Sequence, residues 1–268
     1  MNQHSLLSLS KIALFCIQFS FFAEHFADAC TSISDGSRED GQQFVISKYP
    51  GAQKWYEAMT VKYPQARLDQ IQFCISDAYE SGDSVIFFPE YRLRDMNTVF
   101  GDVKLKKYTA KMFAPFAEDE YLLLHEAEHV LKHDVYHGYL AIKTSGVLIL
   151  TVALSAACLW KNDNLNASTG ILSTSCIATI ACVGLIWYSR FQEYRADNFA
   201  NQNVDAATLR AGKNWFARLN TLMSFENIAI PNFLNSFSQF LQDPAHPTPQ
   251  SRASKALQAL MVRFGQIA

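Results

Sequence analysis

Glu118-Asp119-Glu120-Tyr121-Leu122-Leu123-Leu124-His125-Glu126-Ala127-Glu128-His129-Val130-Leu131 is the stretch on which the fold turns. Pro115 and the acids at 118–120 are helix-start residues, because carboxylates favour the positive end of the helix dipole. Val130 and Leu131 extend the apolar pattern, so a helix is predicted through the histidines. On it His125 and His129 stand one turn apart on one face, where both imidazoles can reach a single metal ion. Glu126, beside the first of them, can take the proton of an attacking water. Chance alone yields H-E-x-x-H in on the order of one per cent of shuffled chains of this composition, so the motif is specific without being decisive. The plain alternative is a solvated helix face that carries two histidines.

A catalytic zinc needs a third protein ligand and one open position. His133 and His137 lack the glycine and the spacing of a nearby third histidine ligand, so the third group must come from farther along the chain. In Phe191-Gln192-Glu193-Tyr194-Arg195-Ala196-Asp197 two acids are again one helical turn apart. Glu193 can supply the third ligand. Asp197 can accept the remaining N–H of a zinc-bound imidazole and so fix its tautomer. Without the histidine pair, a solvated helix face is the better reading of these two acids.

Between the motifs lie two uncharged apolar runs, 144–160 and 165–189. Lys143 can snorkel from the first, extending it to about Tyr139. The second exceeds the roughly 20 residues that cross a hydrocarbon layer of about 30 Å. Trp160, Trp187 and Tyr188 stand at the ends, where aromatic belts form, and only Lys161-Asn162-Asp163-Asn164 separates the runs. The pattern predicts a two-helix transmembrane hairpin over 139–189; a helical pair buried in a soluble core is the alternative. If Glu193 and His125 share one ion, both ends of the pair lie on one side of the membrane, which two crossings satisfy.

Composition agrees. The chain has 268 residues, 23 Lys+Arg against 25 Asp+Glu, a formal net charge of -2, and 49% hydrophobic against 18% charged residues. That is too apolar for a soluble enzyme of ordinary composition. Near-neutral charge without a basic block excludes a nucleic-acid partner. Residues 1–29 read as a secretory signal, with Lys11, an apolar core at 12–22 and Ala27-Asp28-Ala29 as a cleavage site; an uncleaved anchor is the alternative. Of six cysteines, only Cys30 and Cys74 lie outside apolar runs, and they either bridge outside the cytosol or stay free.

Residues 31–115 read as α+β. The spacing of Leu68, Ile71, Ile75 and Tyr79 predicts a helix over 64–82, Val85-Ile86-Phe87-Phe88 a short buried strand, and 102–110 a second strand. Past residue 189, helices are predicted over 190–201 and 206–223, the latter capped by Asp205. A final helix opens at Thr248-Pro249, with Leu257, Leu260, Met261 and Phe264 on one face.

The ordered set of H-E-x-x-H, hydrophobic hairpin, Glu193-Tyr194 through Ala196-Asp197 to Ala200, then His246-Pro247 with Arg252, resembles peptidase family M48. These are membrane zinc endopeptidases that include the CAAX prenyl proteases and HtpX-like quality-control proteases. The resemblance implies one zinc ion per chain on His125, His129 and Glu193, with Glu126 as general base and Asp197 behind a ligand imidazole. By position, it implies that His246 and Arg252 contact the substrate carbonyl or stabilise the oxyanion. Glu128 stands where the family usually has a small or apolar residue.

The expected architecture is mostly α (α+β): a zincin-like metallopeptidase domain with a small sheet, interrupted by a two-helix transmembrane hairpin. Its parts are 1–29, signal or anchor; 30–138, with the zinc-binding helix; 139–189, the hairpin; and 190–268, the rest of the catalytic domain. The expected activity is hydrolysis of peptide bonds in membrane-associated or misfolded polypeptides at a lipid bilayer. A non-catalytic membrane scaffold or pseudo-protease is the alternative. The signal places the site on the extracytoplasmic side. Lys132, Lys143, Arg190 and Arg195, against Lys161 alone in the loop, favour a cytoplasmic-facing site instead.

Overall fold

A computed structural model describes residues 48–101, 109–161, 167–223 and 246–265. The signal-like segment 1–29, Cys30 and nearly all of the strand expected over 102–110 lie outside the described residues; Ala110, at its end, opens a helix. Cys74 is a buried free thiol.

Helix α1, Pro50–Lys62, starts on a proline whose missing N–H costs nothing in a first turn. Its inner face buries Trp55, Tyr56 and Met59. The helix expected over 64–82 does not form. Two 3-10 turns, Pro64–Ala66 and Leu68–Gln70, flank Arg67 in the left-handed conformation at φ 45°, and the chain then runs extended as β1, Gln72–Ser76. Strand pairing decides this. β1 lies parallel to β3, Val85–Pro89, with Phe73 opposite Ile86 and Cys74 opposite Phe87. Apolar spacing alone does not separate a short helix from a buried strand. The Tyr56 hydroxyl, 3.0 Å from the carbonyl oxygens of both Leu68 and Ile71, pins the turn that redirects the chain.

β2, Glu80–Ser81, pairs antiparallel with β3, which makes a three-stranded sheet of order β1-β3-β2. The strand expected at Val85 is present and central, with Ile86 and Phe88 wholly buried. Helix α2, Glu90–Phe100, packs on α1. The short helix α3, Ala110–Phe113, and a 3-10 turn, Ala114–Phe116, lead into α4, Ala117–Leu131, which carries the histidine motif as expected.

The acids that open α4 do more than favour its dipole. Asp119 accepts from the Tyr79 hydroxyl at 2.6 Å and from Arg92 Nε at 2.8 Å. Glu120 accepts from Lys62, from the Tyr63 hydroxyl and, at 3.1 Å, from the Thr208 hydroxyl. Both carboxylates are buried. Four neighbouring segments thereby fix the start of the helix that carries the site.

Helices α5, Asp134–Lys161, α6, Ala167–Asn203, α7, Ala206–Met223, and α8, Pro249–Phe264, follow. Asp205 Oδ1 accepts from the Thr208 backbone N–H at 2.9 Å and Thr248 Oγ1 from that of Ser251 at 3.3 Å, so both expected caps are made. α7 packs against α4 and α8. It approaches α4 closely at Gly212, where a Cβ would lie 2.5 Å from the Tyr121 ring. The buried face of α8 is Arg252, Ala256 and Leu260, whereas Met261 is exposed. This face is rotated from the expected one because Arg252 turns inward to buried acids.

The chain forms two compact units. One comprises 136–187 among the described residues; the other comprises the described parts of 36–135 and 188–268. α5 and α6 carry stretches long and apolar enough to cross a membrane, Asp134–Ala156 and Leu172–Asn203, with mean hydropathy 1.6 and 1.5. Val147, Leu150, Leu154, Leu172, Ile180 and Val183 on them are exposed. The larger unit is mostly helical around the small sheet and holds the aromatic core of Trp55, Phe73 and Phe88.

Candidate metal centre

α4 presents His125 and His129 on one buried face, and the C-terminal turns of α6 bring Glu193 and Asp197 to them. The two imidazole Nε2 atoms are 3.2 Å apart. Glu193 Oε1 lies 3.4 Å from His129 Nε2, and its Oε2 lies 3.5 Å from His125 Nε2. One ligand atom from each of the three residues falls within 4.8 Å of the others. Two imidazole nitrogens and one carboxylate oxygen are a zinc-type donor set, and three protein ligands leave a coordination position open for chemistry.

Both imidazoles turn Nε2 toward the cluster because Nδ1 is taken. His125 Nδ1 lies 3.1 Å from Asp197 Oδ1, and His129 Nδ1 lies 2.8 Å from Asp134 Oδ2. A carboxylate on the far nitrogen fixes the tautomer with its lone pair on Nε2 and raises its basicity. Burial disfavours the charged form of both rings, but the carboxylates outweigh it. Hydrogen bonds to Asp197 and Glu193 lift His125 above the ordinary imidazole range. The Glu193 charge and the Asp134 hydrogen bond push His129 up to about 10. The cluster is a buried place that demands positive charge.

The other expected residues border it. Glu126 Oε1 is 4.0 Å from His125 Nε2, and its side chain keeps partial access to solvent. His246, at 42% exposure the most open of the group, has Nε2 3.4 Å from Glu193 Oε1. Arg252 is committed chiefly to Asp197. Its Nε and Nη2 are 2.8 and 2.7 Å from the two Asp197 oxygens, its guanidinium lies 4.3 Å from the centre of the Phe216 ring, and it is buried. Nη1 lies 3.4 Å from Glu193 Oε2 and Nη2 lies 3.3 Å from His125 Nε2, so the guanidinium also borders two of the candidate ligands. A guanidinium committed in this way orients Asp197 and neutralises the site.

Three participants were not legible from motif spacing. Asp134 is five residues past His129, about 140° away around a continuous helix, so no helical pattern marks it. Arg195 lies between the two expected acids but bonds Asp134 through Nη2 and sets Nε 3.2 Å from Glu128. Phe216, under Arg252, belongs to no motif in the chain. Glu128, out of place in the motif, is buried, and burial pushes its carboxyl above the usual range.

A family model described as Peptidase family M48 matches residues 115–259, over half of the chain and all of the site. No curated protein and no solved structure matches the chain.

Proposed function

The chain belongs to peptidase family M48, a family of metallopeptidases, and from that footing we propose that it is a zinc-dependent membrane endopeptidase. One zinc ion per chain would be held by His125, His129 and Glu193; the observation that carries this reading is the approach of Glu193 to both imidazoles. A bound zinc ion supplies Lewis acidity, which makes a water more acidic and polarises a carbonyl. Glu126 takes the proton of the attacking water on its carboxylate and returns it to the leaving amine. His246, open to solvent beside Glu193, donates through its ring N–H to the developing oxyanion. Asp197 and Asp134 keep the two ligand rings in the binding tautomer. Arg252 holds Asp197.

The two long apolar helices support a bilayer as the setting and polypeptides at its surface as substrates. A chain that crosses twice returns to the side it left, as a site made from both His129 and Glu193 requires. The signal-like start favours an extracytoplasmic site; protease accessibility in sealed vesicles distinguishes this from a cytoplasmic one.

The test is Glu126→Gln on the full chain in detergent. Wild-type protein is expected to hold about one zinc per chain and to cleave an unfolded casein substrate. The variant is expected to keep its zinc and lose at least about a hundredfold in rate, the usual scale for a general base. A wild-type chain that binds no zinc would overturn this reading in favour of a scaffold.

A further inference from the structure

His133 is a non-glycine residue in the left-handed conformation, at φ 52°. It ends α4 one turn after the motif and starts the chain anew at Asp134. On an unbroken helix Asp134 would point about 140° away from His129. The left-handed step instead brings Asp134 Oδ2 back to 2.8 Å from His129 Nδ1. A strained backbone conformation of this kind persists where the surrounding structure demands it.

Asp134 is held in turn. Arg195 Nη2 donates to the same Oδ2, and Gln192 Nε2 donates to the Asp134 carbonyl oxygen at 3.3 Å. Arg195 Nε sits 3.2 Å from Glu128 Oε1. Glu128 and Asp134 are both buried, and the Arg195 side chain is about three-quarters so. Arg195 is two residues from Glu193, on the other helix of the site. One guanidinium thus links the carboxylate behind the second histidine to the segment that delivers the third ligand.

We propose that Asp134, Arg195 and Glu128 are positioning residues that lock the His129 ring and register it against Glu193. The inference rests on the zinc-site reading above. It also accounts for Glu128: an acid inside the motif is the counter-charge that keeps Arg195 in place. The set has the same form as the Arg252–Asp197 pair behind His125, so each imidazole is backed by its own carboxylate and its own arginine.

The test is zinc affinity measured by competition with a chromophoric chelator on the full chain in detergent, together with the visible absorption of the cobalt-substituted protein, which reports ligand geometry. Asp134→Asn and Arg195→Gln are expected to weaken zinc binding 10–100-fold, the usual loss when the partner of a ligand imidazole is removed, and to alter the cobalt bands. Glu128→Gln is expected to lose less, and Glu128→Gln with Arg195→Gln no more than Arg195→Gln alone, because the two act through one chain of contacts. Glu118→Gln, on the same helix as Glu128 but paired with the exposed Arg218 of α7, is expected to bind zinc as wild type does. Helix content by circular dichroism checks each fold; should Arg195→Gln not fold, Arg195→Lys, which keeps the charge but not the planar fork, carries the same expectation. Wild-type affinity and an unchanged cobalt spectrum in folded Asp134→Asn and Arg195→Gln overturn the inference. A wild-type chain that binds neither metal sinks the zinc reading itself, a result that cannot be mistaken for the first.

Discussion

Arg252 grips Asp197 with two arms of its guanidinium, Nε 2.8 Å from one carboxylate oxygen and Nη2 2.7 Å from the other. Asp197 is almost wholly buried. The Oδ1 that accepts from Nη2 also lies 3.1 Å from His125 Nδ1, so the arginine acts on the His125 ring through the acid. Arg252→Ala leaves that acid buried without its counter-charge, a loss of about 3–5 kcal/mol for a pair broken from one side. Arg252→Lys should recover less than half, because an ammonium cannot reproduce the fork. Denaturant unfolding measures both; an Arg252→Ala chain as stable as wild type would move the guanidinium's role to the substrate.

His246 should behave in the opposite way. It is exposed enough that His246→Ala is expected to leave stability and zinc content unchanged while lowering kcat by about 10²–10³, the scale for losing one oxyanion donor. Steady-state kinetics beside metal analysis decides the point. If zinc content falls with activity, His246 is a ligand.

Zinc binding should release protons. In the metal-free protein His129 is held up to about 10, so at pH 8 its ring carries a proton that a metal ion must displace. For the metal-free chain the sign is that of a raised pKa. The stability from charged His129 is full below about 6.5 and is lost as pH rises through about 10. The zinc-loaded chain goes the other way, and its gain in Tm on adding zinc should grow between pH 6 and 9. Thermal melts with and without zinc across that range provide the check; a gain independent of pH contradicts it.

Asp119→Asn tests the anchoring of α4. The carboxylate is fully buried against Arg92 and the Tyr79 hydroxyl, and its loss should cost about 3 kcal/mol. The folded fraction should retain wild-type zinc affinity, since no metal ligand is touched. Chemical denaturation alongside the chelator assay separates the two effects.

His133→Gly should stabilise the chain by up to about 1 kcal/mol, because glycine occupies the left-handed region without strain. His133→Val should destabilise it, since a branched side chain resists that conformation. Melting temperatures of the two variants should therefore move in opposite directions.

The histidine helix, the Glu193–Asp197 turn, the two apolar helices and the caps at Asp205 and Thr248 were legible in the chain because each is written in local spacing: one helical turn, one run of uncharged residues, one cap. Periodicity, charge and turn chemistry act over a few residues, and a sequence displays them directly. Pairing decided the rest. Residues 72–76 became a strand because β3 lay beside them, not because of their own spacing, which suits a helix equally well. Arg252 turned inward, and Asp134 reached back to His129, because buried charge must find opposite charge wherever the fold brings it. Those partners are set by which helices meet, and no local pattern in the chain records that meeting.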